Sequence, residues 1–327
     1  MDSAATGLGS ETGDGDDAGD GDGDGDDGDL KFDTPTEGGE GGDDGVGEEG
    51  CAKVDFLFVI DNSGSMEDDQ VNLINNFPGF MESIQSTLDV EDFHVMVVDT
   101  DAGGNTHPDC FQWWEDEGDP WHITPCPYPS VPSGADPNML PKWDECDGTM
   151  GVGVDMPLGF EATNLECNFA SGERYIDSSE PDLVSAFSCA AKVGIGGNNS
   201  ERPAEALISS VSPELLGPGG CNEGFLRPDA LLVVTVLTDE QDSLSDPKKD
   251  PAAWAQAVID AKGGNEESVV MLGLFGGIEY PEPYLEMMVG SFTHSAIESV
   301  LIPDYQPFFE SVIPDIDTAC DNFIPEG

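Results

Sequence analysis

The chain has 327 residues, with 68 acidic against 10 basic side chains and a formal net charge of −58. That balance excludes nucleic acid and anionic membrane surfaces as partners, because both are themselves polyanions, and it favours divalent cations, basic ligands or plain solubility in salt. Eight cysteines against four histidines, with no C-x-x-C pair, point to disulfides and an oxidising compartment rather than a metal knuckle; the spacing does not choose among the pairings.

Residues 1–50 hold 18 acids and one lysine around a GDGDGDDGD centre. Such a segment cannot bury enough apolar surface to fold and is expected to be a disordered Asp/Gly-rich linker, holding a domain away from a cell surface. A calcium-loop array would need a bidentate Glu and flanking helices, which are missing. Met1-Asp2-Ser3 starts no signal peptide, lacking a basic and then an apolar region, so an export leader is expected to have been removed. No apolar run is long enough to span a membrane.

The folded domain is expected over 51–327. Val54–Ile60, VDFLFVI, is an apolar, β-branched and aromatic run apart from Asp55, the pattern of a strand buried on both faces at the centre of a parallel sheet. It ends in Asp61-Asn62-Ser63-Gly64-Ser65. One carboxylate and two hydroxyls at alternate positions make a compact hard-oxygen cluster, suited to Mg²⁺ or another hard cation; the competing reading is a serine-rich turn in which Asp61 caps a helix. Val71, Ile74, Phe77, Met81, Ile84 and Leu88 recur at helical spacing, with Pro78 expected to kink or break the helix. Phe93–Asp99 is the second strand.

The rhythm then stops. Residues from about 102 to 180 are rich in Cys, Pro and Trp and are expected to form a disulfide-pinned insertion, since a structureless loop of that length is improbable in a compact domain; a hairpin is expected around Cys146–Asp155. His107, Cys110, His122 and Cys126 have the number of ligands for zinc, but disulfide cysteines with stray histidines explain the spacing better. Trp113, Trp114 and Trp121 read as the core of this insertion. Order resumes with a helix over Pro181–Val193, with Leu183, Val184, Phe187 and Ala190 inward. Gly196-Gly197-Asn198-Asn199-Ser200 follows, before a helix with Pro203 in its first turn; Ser200 is either a ligand or a helix cap. Ala230–Leu237 is a second fully buried strand, ending in Thr238-Asp239-Glu240. Asp250-Pro251 starts a helix with Trp254, Ala257, Val258 and Ala261 inward, Ser268–Phe275 is the last clear strand, Glu286–Val289 lies in a short helix, and Tyr305 to Ala319 is a final helix bent by Pro314 and tied down by Cys320.

D-x-S-x-S after a buried strand, Gly-Gly-x-x-Ser before a helix and an aspartate after a later core strand resemble the three parts of the metal-ion-dependent adhesion site of von Willebrand factor type A domains, the group that includes integrin I domains. The Asp/Gly segment, the Cys-rich insertion and GFLRPDALLVVTVLTDE are also similar to exported myxobacterial members. The resemblance covers Val54 to about Asn322 apart from the insertion. It implies a doubly wound, mostly parallel α/β sheet with helices on both faces. It also implies a site in which Ser63, Ser65 and Ser200 bind Mg²⁺ or Mn²⁺ directly, Asp61 and Asp239 act from one shell back, and an open position accepts an Asp or Glu of a protein partner. Ser200 stands where the family has Thr. Asp68 and Asp69 follow at a spacing similar to integrin β-subunit domains, where such residues help hold Ca²⁺; acids in a helix's first turn also suit its dipole.

The function expected is an exported, surface-tethered adhesion or protein-binding module outside the cell. H-E-x-x-H and G-x-S-x-G are absent, and no paired histidine suits the serines, so an enzyme is not expected. The other readings are an intracellular assembly partner of an AAA-type ATPase, which would need no disulfides, and a structural domain with a non-functional metal site.

Overall fold

Seven of the eight residues of strand β1 (Lys53–Ile60) are buried, and its side chains divide strictly by parity. Phe56, Phe58 and Ile60 enter one hydrophobic cluster, Leu57 and Val59 another. This two-sided burial is why the run reads as apolar sequence apart from Asp55. The computed structural model describes residues 51–88, 90–101, 146–159, 161–197, 201–242, 244–276 and 283–323. The linker over 1–50, the zinc candidates, the three tryptophans of the insertion and Ser200 lie outside those residues.

β1 pairs in parallel with β2 (Asp92–Asp99) on one side and β4 (Leu231–Thr238) on the other. β5 (Val269–Phe275) and β6 (His294–Ser299) continue the parallel run, and the two-residue β3 (Ile176–Asp177) closes the far edge antiparallel to β2. The order is β3-β2-β1-β4-β5-β6. The helices are α1 (Glu67–Leu88), α2 (Leu183–Ala191), α3 (Pro203–Ser210), α4 (Pro213–Leu216), α5 (Pro251–Ala261), α6 (Pro283–Val289) and α7 (Gln306–Asn322). α1, α2 and α7 cover the Phe56 face; α3, α5 and α6 cover the Leu57 face. The sheet is therefore doubly wound and mostly parallel, as expected.

Several local expectations change. α1 runs through Pro78 and α7 through Pro314 without ending. Tertiary packing outweighs the lost hydrogen bond in α1: Phe77 stacks on Phe187 at 3.6 Å between ring centroids, and Phe80 meets both Phe56 and Phe309. Val71 and Val184, assigned inward, are 45% and 44% exposed. In α1 the buried stripe is Gln70, Leu73, Phe77, Phe80, Met81, Ile84 and Leu88, so a polar residue occupies the place given to Val71. The hairpin expected around Cys146–Asp155 does not form; a 3₁₀ turn at Cys146–Gly148 is followed by one bond from Val154 N–H to the Val97 carbonyl. β6 was not legible as a strand, because its HSAIES sequence is only partly buried at the sheet edge.

Three disulfides pin the described residues: Cys51–Cys320, Cys146–Cys221 and Cys167–Cys189. The first joins the start of the domain to α7, as expected of Cys320. The other two anchor the described part of the insertion to the loop before β4 and to α2. Among the described residues no helix is long and apolar enough to cross a membrane.

Candidate metal centre

The strand order reverses between β1 and β4. At such a switch point the two following loops part, and the crevice beyond the carboxyl ends of the strands is where open α/β sheets bind ligands. Register puts Ile60 opposite Asp99 and Leu237. The residues just past those strands, Asp61, Thr100-Asp101 and Thr238-Asp239, therefore meet at one rim.

Asp61 is wholly buried and both its oxygens are engaged. Oδ1 accepts the Ser63 N–H at 2.6 Å, and Oδ2 accepts the Thr238 hydroxyl at 2.6 Å. Its own N–H donates to the Leu237 carbonyl at 2.9 Å. Asp61 thus ties β1 to β4 and sets its carboxyl behind the loop. Gln70, on the buried stripe of α1, donates to the carbonyls of Asp61 at 3.0 Å and Gly194 at 2.8 Å, and accepts the Gly194 N–H at 3.2 Å. It fixes the first loop against the third. Gly197 N–H donates to the Asn62 carbonyl at 2.9 Å. A Cβ at Gly197 would come within 2.7 Å of that same oxygen, so only glycine allows this approach.

The buried atoms left over are informative. Ser63 Oγ, both amide atoms of Asn62, Asp239 Oδ1 and Glu201 Oε1 have no hydrogen-bond partner. Orphaned buried polar atoms are rare and costly, and here they collect at one rim. Glu201 is 1% exposed; its other oxygen accepts the Thr100 hydroxyl. Ser65 is exposed at the loop tip. Of the five expected ligands, the fold brings Asp61, Ser63, Ser65 and Asp239 to the same rim, and Ser200 lies outside the described residues.

The electrostatics agree with a site built for a cation. Burial raises the Asp61 carboxyl to about 7 despite its bonds from Thr238 and Ser63, and the Asp239 charge adds to the rise. Burial lifts Glu201 well above the usual carboxylate range, reinforced by the charges of Asp61 and Asp101. Burial, then the Asp101 charge, lifts Asp99 to about 7. Burial and Asp239 raise Glu240 as well. Among the described residues no group of three His, Cys, Asp or Glu converges to hold an ion. That is consistent with a ligand set led by neutral hydroxyls, with Asp61 already engaged by Ser63 and Thr238. The orphaned Ser63 hydroxyl, a hard oxygen beside held-back carboxylates, fits Mg²⁺ or Mn²⁺.

These shifts set a pH dependence. Asp61 and Asp99 hold protons in the fold up to about pH 7, whereas the unfolded chain releases them near pH ~4. Their contribution is fully present below the unfolded value and is lost as pH rises through the folded one. Metal-free protein is therefore expected to unfold at a lower temperature at pH 8 than at pH 5, while cation affinity strengthens over the same interval. Thermal unfolding in EDTA at the two pH values checks this; a higher midpoint at pH 8 would contradict it.

Asp68 is exposed, and half-buried Asp69 accepts the Tyr305 hydroxyl at 3.0 Å. Burial raises Asp69 to about 6 against that bond, and the Asp239 and Asp68 charges add to the rise. Among the described residues no further ligands gather around this pair.

No protein-family model and no curated protein matches the chain. Among solved structures, a von Willebrand factor type A protein from Catenulispora acidiphila is 12% identical, covering 81% of this chain and 43% of its own at a TM-score of 0.43. Proximal thread matrix protein 1 from the mussel byssus is 13% identical, covering 82% and 49% at a TM-score of 0.40. A further structure of that mussel protein, described as having a zinc-occupied MIDAS motif, is 12% identical, covering 82% and 49% at a TM-score of 0.37. The strand order and parallel pairing make the fold a doubly wound, mostly parallel α/β sheet. This chain spans less than half the length of the solved chains it matches.

Two residues at the rim escaped the sequence reading. Gln70 carried a usable signal, a polar side chain three residues before Leu73 on an otherwise apolar stripe. Glu201 carried none, because an acid before a helix with proline in its first turn reads as solvent-exposed.

Proposed function

We propose that this chain is a protein-binding module that captures an exposed Asp or Glu of a partner through a divalent cation, Mg²⁺ or Mn²⁺, at the β1–β4 rim. The observation that carries the reading is the buried, unpartnered Ser63 hydroxyl beside an Asp61 carboxylate whose two oxygens are already engaged. Ser63, Ser65 and Ser200 would hold the cation, with Asp61 and Asp239 supplying charge from behind. When bound, the cation offers an electrophilic position to an external carboxylate. The chain's own part is to keep the hydroxyls forward: Thr238 and the Ser63 amide immobilise Asp61, and Gln70 locks the loops together. No covalent step is required, and the module is read as non-enzymatic.

Three disulfides favour an oxidising, extracytoplasmic setting, with residues 1–50 serving as the tether to a surface. The same disulfides weigh against an intracellular ATPase partner.

The test is binding to a panel of peptides presenting Asp or Glu, and to their Asn or Gln counterparts, in Mg²⁺ and in EDTA. Binding confined to the acidic peptides in Mg²⁺ is expected. Binding that persists in EDTA, or that ignores the Glu-to-Gln change, would overturn the metal-bridged reading.

A further inference from the structure

Glu201, just before α3, is buried at the rim. Arg202 N–H donates to the Thr100 carbonyl at 3.4 Å, and the Thr100 hydroxyl donates to Glu201 Oε2. These contacts pull Glu201 inward across the end of β2, although α3 begins only two residues later with Pro203. Among the described residues no ion pair reaches Glu201: Arg202 pairs with Glu205 at 3.3 Å and its Nε is buried without a partner, and the charges that act on Glu201 are those of Asp61, Asp101 and Glu240. A carboxyl that is 1% exposed, with one oxygen unpartnered and the charges of Asp61, Asp101 and Glu240 acting on it, is unfavourable as an anion unless a positive charge joins it. Ser63 Oγ, the other orphan of the first loop, is equally buried.

We infer that Glu201 is an inner-sphere ligand of the cation, binding through Oε1 and supplying the one direct carboxylate in a set otherwise made of hydroxyls. The inference rests on the metal-binding reading above and adds a ligand to it. Asp61, with both oxygens engaged, cannot take this role without breaking the ties to Ser63 and Thr238. Thr100 positions Glu201 by holding Oε2, which leaves Oε1 buried and without a hydrogen-bond partner. A direct carboxylate raises the affinity of the centre for divalent cations generally, and it makes occupancy and fold stability strongly linked: the cation removes an unpaired buried charge.

The experiment is calorimetric titration of Mg²⁺, Mn²⁺ and Ca²⁺ into EDTA-treated full chain, with thermal unfolding of each protein with and without metal, for wild type, Glu201→Gln, Glu201→Asp and Asp61→Ala/Ser63→Ala. Glu201→Gln is expected to weaken cation binding by at least about tenfold, the lower end of what lost support for a ligand costs. It is also expected to raise the metal-free unfolding temperature at pH 8, because the amide never takes on the charge that burial and the neighbouring acids disfavour. Glu201→Asp keeps a carboxylate and is expected to retain more affinity than the Gln variant. Wild-type affinity in Glu201→Gln, with binding lost in Asp61→Ala/Ser63→Ala, would overturn the role of Glu201 and leave the metal site standing. A metal-free Glu201→Gln protein less stable than wild type, with cation affinity unchanged in that same variant, would show a purely structural Glu201. Absence of cation binding by wild type would overturn both readings.

Discussion

Replacing Arg227 with alanine is expected to destabilise the fold by about 3–5 kcal/mol, the cost of leaving a buried charge without its partner. Asp55 lies on β1 with no exposed surface. Arg227 reaches it three ways: its N–H donates to Oδ2 at 2.7 Å, Nε donates to Oδ1 at 2.8 Å, and Nη2 lies 2.7 Å from Oδ1. Nη1 also donates to Asp92 at the start of β2. One guanidinium thus joins the loop before β4 to the amino-terminal ends of β1 and β2. Lys262 supports that loop from below, donating to the carbonyls of Arg227 at 2.6 Å and Ala230 at 2.7 Å. Burial still outweighs Arg227 and raises the Asp55 carboxyl, so the pair is costly to desolvate and costlier to break. Denaturant unfolding checks the figure. The double variant Arg227→Ala/Asp55→Asn is expected to recover part of the loss, because no charge is then stranded. A single-variant cost below about 1 kcal/mol would mean that water solvates Asp55, as at surface ion pairs.

The second large effect is on cation binding. Asp61→Ala/Ser63→Ala is expected to lower affinity by at least about 100-fold, exceeding the loss from a single outer-shell partner. Ser63 removes a hydroxyl ligand. Asp61 removes the charge behind the loop and the acceptor shared by the Ser63 amide and the Thr238 hydroxyl, so the loop loses both its electrostatic support and its shape. Fold stability is expected to survive, since a buried carboxylate raised to about 7 contributes desolvation cost as well as bonds. The two variants therefore separate the ends of the sheet. Arg227 at the amino-terminal rim governs stability, and Asp61 at the carboxyl-terminal rim governs binding.

The sequence was most readable where burial is two-sided. β1, β4 and β5 announce themselves as mostly apolar runs because both faces are covered, Asp55 being the buried exception in β1, and the D-x-S-x-S loop is contiguous, so one stretch carries most of the site. Edge elements were harder. β3 has two residues, and β6 is half-exposed, so neither has an apolar pattern to read. Helix faces were right to within one position: Val71 was placed inward where Gln70 turns in, since hydropathy cannot foresee a glutamine whose partners are backbone groups of two distant loops. Pro78 was expected to kink or break α1 because propensity is local, while the Phe77–Phe187 stack that supports α1 joins residues far apart in sequence. Glu201 is the sharpest case. Its burial comes from Thr100, about a hundred residues earlier, and no local pattern encodes it.

The measurement that bears most directly on the central claim is calorimetric titration of Mg²⁺, Mn²⁺ and Ca²⁺ into the EDTA-treated protein, beside the Asp61→Ala/Ser63→Ala variant. Saturable binding by wild type that is lost in the variant is the predicted result. No binding by wild type, or equal binding by the variant, would contradict a metal centre at the β1–β4 rim.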